Sequence, residues 1–419
     1  MTEPIDILQS LIRAAMDGAE PARAVNRALL RWEGAPPTHM LAVGKASIGM
    51  AAAAIKACDG VSECLVVGPD VTIPEPLCNP RVRVLVADHP LPTPRNVAAA
   101  HEVLRFVSTL PKRANLLVLL SGGASAHLAL PIDGVTLDDI REVTGELNRA
   151  GATIHELNTV RKHCEQLKGG RLAAACTAKE IRVLVMSDVE GDRLDVIGSG
   201  PFAPDTTTRA DAMAVLKKYV ARASSPCLSP LLKIMGRMPM PQEHGQDARA
   251  THEIIANNRT VLDAVAAEAQ RQALFVIRSH PWISGDAAAA GARIANLARA
   301  SSLCSSNWCL IAGGEPIVNV GSATGLGGPS QELALAAALA LEDAPIMLAA
   351  ISTDGVDGPT PHMGAIATGH TASTARERGL DPEAVLANHD SATFFAATHG
   401  ALPGGPSGTN LNHVVIAVG

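Results

Sequence analysis

A chain of 419 residues that is 47% hydrophobic has room for two or three folded domains at ~100–200 residues each. Its formal net charge is -6 and no Lys/Arg-rich block stands out, which excludes nucleic-acid binding through a broad basic footprint. The longest apolar stretches are Ala-rich and too short to span a bilayer. The N-terminus shows no signal-peptide pattern, since Ile5, Leu8, Leu11, Ile12 and Ala15 recur at helical spacing with acids between them. The 8 cysteines are scattered without a C-x-x-C pair, so buried reduced thiols in a cytoplasmic protein are expected.

Residues 1–30 predict helix, ending near Trp32-Glu33-Gly34-Ala35-Pro36-Pro37. A strand is predicted over 40–43, then a helix opened by Gly44-Lys45-Ala46-Ser47 and running to residue 57, then strands over 64–67 and 82–87. The prolines of Asp88-His89-Pro90-Leu91-Pro92 fix a rigid turn. Helices are predicted over 96–110, 137–155, 160–176 and 209–223, with strands over 116–120 and 181–186. The stretch 224–250 holds several prolines and little periodicity and reads as a linker. Beyond it come strand 253–256, helix 260–272, strand 274–277, helix 285–300, strand 308–312, helix 330–341, strand 346–351 and a closing strand 413–418. This alternation predicts two α/β domains, 1–240 and 241–419.

Four of the predicted strands end abruptly in loops of Gly, Ser and acid. They are Ser121-Gly122-Gly123-Ala124-Ser125, Ser187-Asp188-Val189-Glu190-Gly191-Asp192, Gly313-Gly314-Glu315-Pro316, and Ser352-Thr353-Asp354-Gly355-Val356-Asp357-Gly358. Short apolar runs without alternation suit strands buried on both faces, and open α/β sheets bind ligands beyond the carboxyl ends of such strands. Glycines let the backbone approach a phosphate, and carboxylates suit a hard cation. Lys45 sits at a strand-to-helix turn, where a helix N-terminus already favours anions. The turn is not a Walker A loop, because His39 stands where its first glycine would fall. The Ser121–Ala126 segment misses the G-x-S-x-G elbow because His127 takes the last place. No G-x-G-x-x-G is completed before Ser330, which counts against a dinucleotide fold. Asp188 and Asp192 are the better metal or base candidates of their loop, and Asp354 with Asp357 makes a similar case. The 14 histidines show no H-E-x-x-H and no Cys/His ligand cluster.

Taken in order, Val43-Gly44-Lys45-Ala46, His89-Pro90-Leu91-Pro92, the Ser121–Ala126 loop, Asn158-Thr159-Val160-Arg161-Lys162-His163 with Lys168-Gly169-Gly170, Ser187-Asp188-Val189 through Gly198-Ser199-Gly200-Pro201, Gly313-Gly314-Glu315 and Ser352–Gly358 resemble the class II glycerate 2-kinases, whose C-terminal part is called MOFRL. The resemblance covers nearly the whole chain, from Val43 to Asn412. It implies a Rossmann-like parallel-sheet N-terminal domain, a smaller α/β C-terminal domain, and a site in the cleft between them. It implies phosphorylation of D-glycerate at its C2 hydroxyl by ATP, with Mg²⁺, giving 2-phosphoglycerate.

The family's key lysine maps onto Lys45, implied to meet the phosphoryl group in flight. Ser121, Gly122, Gly123, Ser125, Ser199 and Gly200 would hold phosphates or the substrate carboxylate. Asp188, with Asp192 or Asp354, would hold Mg²⁺ or accept the hydroxyl proton, and Asp357 is a further metal candidate. Arg161 and Lys168 would meet the glycerate carboxylate. Gly314, Glu315 and Gly328 are added as binding candidates. A homodimer stays open as the assembly. The chain departs from the family where a usual Gly-Gly-Arg-Asn reads Gly327-Gly328-Pro329-Ser330 and where a usual Asp reads His413. Proline supplies neither charge nor N–H. A weakened ATP- and hydroxy-acid-binding protein is therefore the alternative expectation, with hydroxypyruvate reductase, a name some members carry, as a third.

Overall fold

The computed structural model describes residues 3–220, 228–237, 249–303 and 307–419. These fall into two compact units, one of residues 25–255 and one that joins 1–24 to 256–419.

The first unit is built on a 6-stranded sheet in the order β3-β2-β1-β4-β5-β6. Its strands are β1 (His39–Val43), β2 (Glu63–Gly68), β3 (Val82–Val86), β4 (Asn115–Ser121), β5 (Glu180–Met186) and β6 (Ala250–Ala256). All pairings among β1 to β5 are parallel. Leu41, Val43, Leu116, Val118 and Leu120 pack with Ala100, Val103 and Phe106 of the helix Pro94–Ser108. The intervening Met40, Ala42, Leu117 and Leu119 are buried as well, so these runs do not alternate. β6, read from sequence as opening the second domain, is instead the edge strand of this sheet, since a strand pattern does not name its partner.

A helical layer forms a second core in this unit. Val143, Leu147, Leu157, Val160, Leu216, Tyr219 and Leu231 bring together the helices Leu137–Arg149, Ile154–His163, Arg209–Val220 and Leu228–Arg237. The single helix expected over 137–155 is broken because Thr153 and Glu156 form a capping box that starts a new one. That helix stops at His163, and the expected helix over 160–176 is a loop followed by the short helix Arg171–Ala175. The 224–250 stretch is not all linker, as Leu228–Arg237 is helical. Its remaining residues up to 248 lie outside the described residues.

The second unit carries a 7-stranded sheet in the order β12-β11-β10-β13-β9-β7, with β8 paired to β9. The strands are β7 (Phe275–Arg278), β8 (Ile283–Asp286), β9 (Trp308–Ile317), β10 (Met347–Ser352), β11 (His362–Thr368), β12 (Ala401–Pro403) and β13 (His413–Val418). β7 and β8 run parallel to β9. β13 runs antiparallel to both β9 and β10, so β9 and β10 point the same way. The helices Ala287–Ser302 and Pro329–Ala340 contribute Ile294, Ala298, Leu333 and Ala337 to a core with Trp308, Leu310 and Leu348.

The first helix, Pro4–Gly18, belongs to this second unit and not to the N-terminal domain expected over 1–240. Ser10 donates to Glu268 of the helix Asn258–Arg271 at 3.2 Å. It ends at Gly18, and a new helix starts at Pro21, a residue suited to the first helical position. Among the described residues no helix is long and apolar enough to cross a membrane. Cys64, Cys164, Cys176 and Cys309 are buried and in no disulfide, whereas Cys78 is exposed; Cys227 and Cys304 lie outside the described residues.

Leu8 is 0% exposed, so Leu8→Ala should destabilise the second unit by ~2–5 kcal/mol. Urea unfolding followed by hydrogen exchange should show the lost protection in the helix Asn258–Arg271, with the first sheet unchanged.

Candidate active site

In the first unit, three strand ends converge around one turn. β4 and β5 pair in register up to Ser121 and Met186, so Gly122 and the Ser187-Asp188 step emerge side by side. A methyl group on Gly122 would overlap the Asp188 carboxylate. Only glycine permits that approach. The neighbouring β1 delivers Lys45, whose N–H donates to Gly122 O at 2.8 Å, and the Ala46 N–H donates to Ser121 Oγ at 3.0 Å. A methyl group on Gly123 would lie 2.9 Å from Lys45 Cγ and 3.1 Å from the His89 ring. The lysine stem, an imidazole and a carboxylate thus border one glycine turn.

Burial raises the Asp188 carboxyl above its ordinary value, against the opposing pull of Lys45. His127, fully buried beneath the turn with its ring 6.1 Å from that of His89, is pushed down to about 4 by burial, with His89 and Lys45 adding to the shift. It stays neutral at pH 7. Among the described residues the Lys45 amine has no hydrogen bond or ion pair. A half-buried amine of this kind is suited to an anion.

The remaining loops of this unit are stitched to the same turn. Ser125 Oγ and Ser199 Oγ lie 2.7 Å apart. Gly169 N–H donates to Ser199 O at 3.0 Å, and Gly170 N–H to Gly200 O at 2.7 Å. Asp192 sits on the short turn Glu190–Asp192 beyond Asp188. Lys168, expected to meet a substrate carboxylate, is instead committed to the core. It is 2% exposed and its Nζ donates to Glu165 Oε1 at 2.8 Å. The other oxygen, Glu165 Oε2, accepts the Leu130 N–H at 2.7 Å. Arg161 differs. It is half-buried and without a hydrogen bond or ion pair among the described residues, and burial lowers its pKa against the influence of Glu165. An arginine so placed fits an anion better than Lys168 does.

The second unit gathers its own set at one sheet end. His413 pairs in register with Gly314 on β9 and with Ser352 on β10, which places Glu315, Asp354 and Asn412 together. Asn412 Nδ2 donates to Glu315 Oε2 at 3.3 Å. Asp354 Oδ1 accepts from the Ser352 hydroxyl at 2.6 Å and from the Val356 N–H at 3.1 Å. Asp357 is not available as the metal ligand expected from its loop. Its Oδ1 accepts the Ser330 N–H at 2.8 Å and its Oδ2 the Gln331 N–H at 2.7 Å, so it caps the helix Pro329–Ala340. Gly328 is explained by the same contact, because a methyl group there would strike Asp357; it is a packing glycine. Sequence reasoning did not connect Ser330 with His413, whose Nδ1 lies 2.7 Å from the Ser330 hydroxyl. Burial pushes His413 down to about 4, so the ring is neutral at pH 7. Nor did it connect Glu332, 2% exposed, with His389 at 2.9 Å. No spacing rule links such residues.

Glycine turns, an unpaired lysine and carboxylates at the strand ends define an α/β protein equipped to handle anions. Residues 7–232 match the family described as Domain of unknown function (DUF4147), and residues 308–413 match the MOFRL family. The chain is 34% identical to the glycerate 2-kinase of Pyrococcus horikoshii over 97% of its own length and 96% of the relative's. It is 35% identical to the D-glycerate 2-kinase of Thermotoga maritima at the same coverages. The crystal structure of a Thermotoga maritima glycerate kinase superimposes with a TM-score of 0.87 at 34% identity, covering 99% of this chain and 98% of that one. A relative in Agrobacterium vitis, 34% identical over 97% of the chain, is named as a hydroxypyruvate reductase. The chain belongs to the glycerate 2-kinase family that combines these two segments.

Removing one partner of a buried ion pair leaves the other uncompensated. Lys168→Ala should therefore cost ~3–5 kcal/mol of stability in urea unfolding, and the double variant Glu165→Gln/Lys168→Met should recover most of it. For Asp357, burial lifts the folded pKa to about 6, above the unfolded value of ~4. Its contribution is full below about pH 4 and is lost as pH rises through about 6. Unfolding free energies measured from pH 4 to 7 should fall for the wild type relative to Asp357→Asn across that window.

Proposed function

We propose that this chain transfers the γ-phosphoryl group of ATP to the C2 hydroxyl of D-glycerate, giving 2-phosphoglycerate and ADP. The observation that carries the reading is the unpaired Lys45 amine beside the Ser121–Gly123 turn and Asp188. Phosphoryl transfer asks little covalent chemistry of a protein and much positioning and charge neutralisation. Lys45 would meet the phosphoryl oxygens while the N–H groups and hydroxyls of Ser121, Gly122, Gly123, Ser125 and Ser199 hold the anion in place. Arg161 is the better partner for the glycerate carboxylate. The new bond joins the C2 oxygen to phosphorus, the bond from phosphorus to the ADP oxygen breaks, and the hydroxyl proton passes to Asp188. A carboxylate with a raised pKa is a more competent base than an ordinary one.

Among the described residues no group of three or more His, Cys, Asp or Glu is placed to hold a metal. Mg²⁺ accompanying a nucleotide needs only one or two protein carboxylates, and Asp192, on the loop that carries Asp188, would meet that lesser demand. When bound, the ion would neutralise phosphate charge. Relatives named as glycerate 2-kinases over nearly the full chain support the substrate.

Incubating the purified chain with D-glycerate, ATP and Mg²⁺ should give ADP and 2-phosphoglycerate in a coupled assay. Lys45→Ala should lower kcat by ~10²-fold or more, the scale of removing one transition-state charge partner. Near-normal turnover by that variant would remove Lys45 from the mechanism. Pro329, at the first turn of its helix, motivates a second reading, a binding protein with weakened catalysis. ATP binding without turnover would support it. NAD(P)H oxidation with hydroxypyruvate would favour the reductase.

A further inference from the structure

Ser199 holds a conformation that a serine does not favour by itself. Its φ is 63°, between Gly198 at 58° and Gly200 at 63°, and a left-handed backbone is uncommon for residues other than glycine. Such a residue keeps its shape only when its surroundings impose it. Yet its hydroxyl is placed 2.7 Å from Ser125 Oγ, on the glycine turn that borders Lys45. The loop must therefore be held from outside.

Part of the hold is backbone. Gly169 N–H donates to Ser199 O, and Gly170 N–H to Gly200 O. The rest is charge. Lys162, in the last turn of the helix Ile154–His163, is 3% exposed. Its Nζ donates to Asp195 Oδ2 at 3.4 Å and to Asp205 Oδ1 at 3.2 Å. These carboxylates lie on either side of Ser199 in the chain, so one ammonium ties both ends of the loop 195–205 to one helix. The loop is folded back tightly between them, since a methyl group on Gly200 would lie 3.0 Å from Asp195 Cα.

Neighbouring groups do not replace Lys162. Arg193 also pairs with Asp195, at 2.8 Å, but it is largely exposed, and exposed pairs contribute little. His163 Nε2 lies 3.7 Å from Asp205 Oδ2. Burial pushes the His163 pKa down to about 4, with Arg171 adding to the shift, so the ring is neutral at pH 7. Thr207 holds Asp205 through its N–H and hydroxyl and brings no charge. Without the ammonium, the two carboxylates would repel each other where solvent screens them weakly.

We propose that Lys162 is a positioning residue, which staples Asp195 to Asp205 and thereby holds Ser199 against Ser125 at the glycine turn. Its part in catalysis rests on the kinase reading above, in which both hydroxyls hold the anion.

Hydrogen exchange and the coupled assay, both on the full chain, test the staple. In Lys162→Met, amides of 195–205 should exchange about tenfold faster or more, as a local opening after a buried pair is broken. β1 and β4 should keep wild-type protection. The kcat should fall about 10²-fold, the scale of a misplaced binding group. That loss should not multiply with the loss in Ser199→Ala. The double variant should turn over no more slowly than Lys162→Met alone, because both changes remove one contact. Asp205→Asn keeps an oxygen for Thr207 and removes the charge; it should loosen the same amides to a smaller degree, and it stands in if Lys162→Met does not fold. Wild-type exchange at 195–205 in Lys162→Met, or in its stand-in, overturns the staple. Losses that multiply in the double variant overturn the link to Ser199. If the wild-type chain does not phosphorylate D-glycerate, the kinase reading fails, and the exchange result alone decides whether Lys162 holds the loop.

Discussion

The close approach of the Asp188 carboxylate to Gly122 is the constraint on which the first unit's site depends. Two parallel strands in register carry both residues to the same level, and the space between them has no room for a side chain. The same turn accepts the Lys45 amide through Gly122 O and the Ala46 amide through Ser121 Oγ. One backbone shape therefore sets the carboxylate, the amine and the amide donors together. The partial burial that this closeness brings also raises the Asp188 pKa. Structure and reactivity here have one cause.

The second unit solves a different problem with similar residue types. Its sheet is mixed, yet β13 lies antiparallel between β9 and β10, so loops from separate stretches of chain meet at one end. Gly314, His413 and Ser352 stand in one row across the strands. Asp357 spends both oxygens on the start of a helix. In a sequence this aspartate looks like Asp354, because both follow the same strand in a loop of glycines. Two backbone N–H groups from a helix more than twenty residues earlier make the difference. A carboxylate at a helix N-terminus is favoured electrostatically, which is reason enough for an acid at that position without any metal.

Much of the fold was legible because burial leaves a periodic trace. β1, β4, β5, β9, β10 and β13 are apolar runs buried on both faces, and glycine-bearing loops follow β1, β4, β5 and β10. The loops at Lys45, Ser121 and Asp188 were found in this way, whereas Gly313-Gly314-Glu315-Pro316, expected as a loop, lies inside β9, which β8 keeps extended by pairing with it. Helix breaks were harder to see. The Thr153 and Glu156 cap interrupts an amphipathic pattern that continues on both sides, so periodicity alone ran two helices together. β6 carried a clear strand pattern, but hydrogen bonding to β5's sheet is a long-range choice that no local pattern records.

The α/β class, three of the four strand-end loops and the family resemblance follow from the chain alone, because these rest on local hydrophobic runs and on the order of short motifs. Tertiary structure decided which charges remain available. Lys168 and Arg161 looked alike as cations near one loop; packing buried the first against Glu165 and left the second without a hydrogen bond or ion pair among the described residues. Asp357 became a cap. Each outcome depends on which distant groups share a low-dielectric volume, where an ionised side chain must find a partner or meet solvent. The spacing of residues along the chain does not encode that.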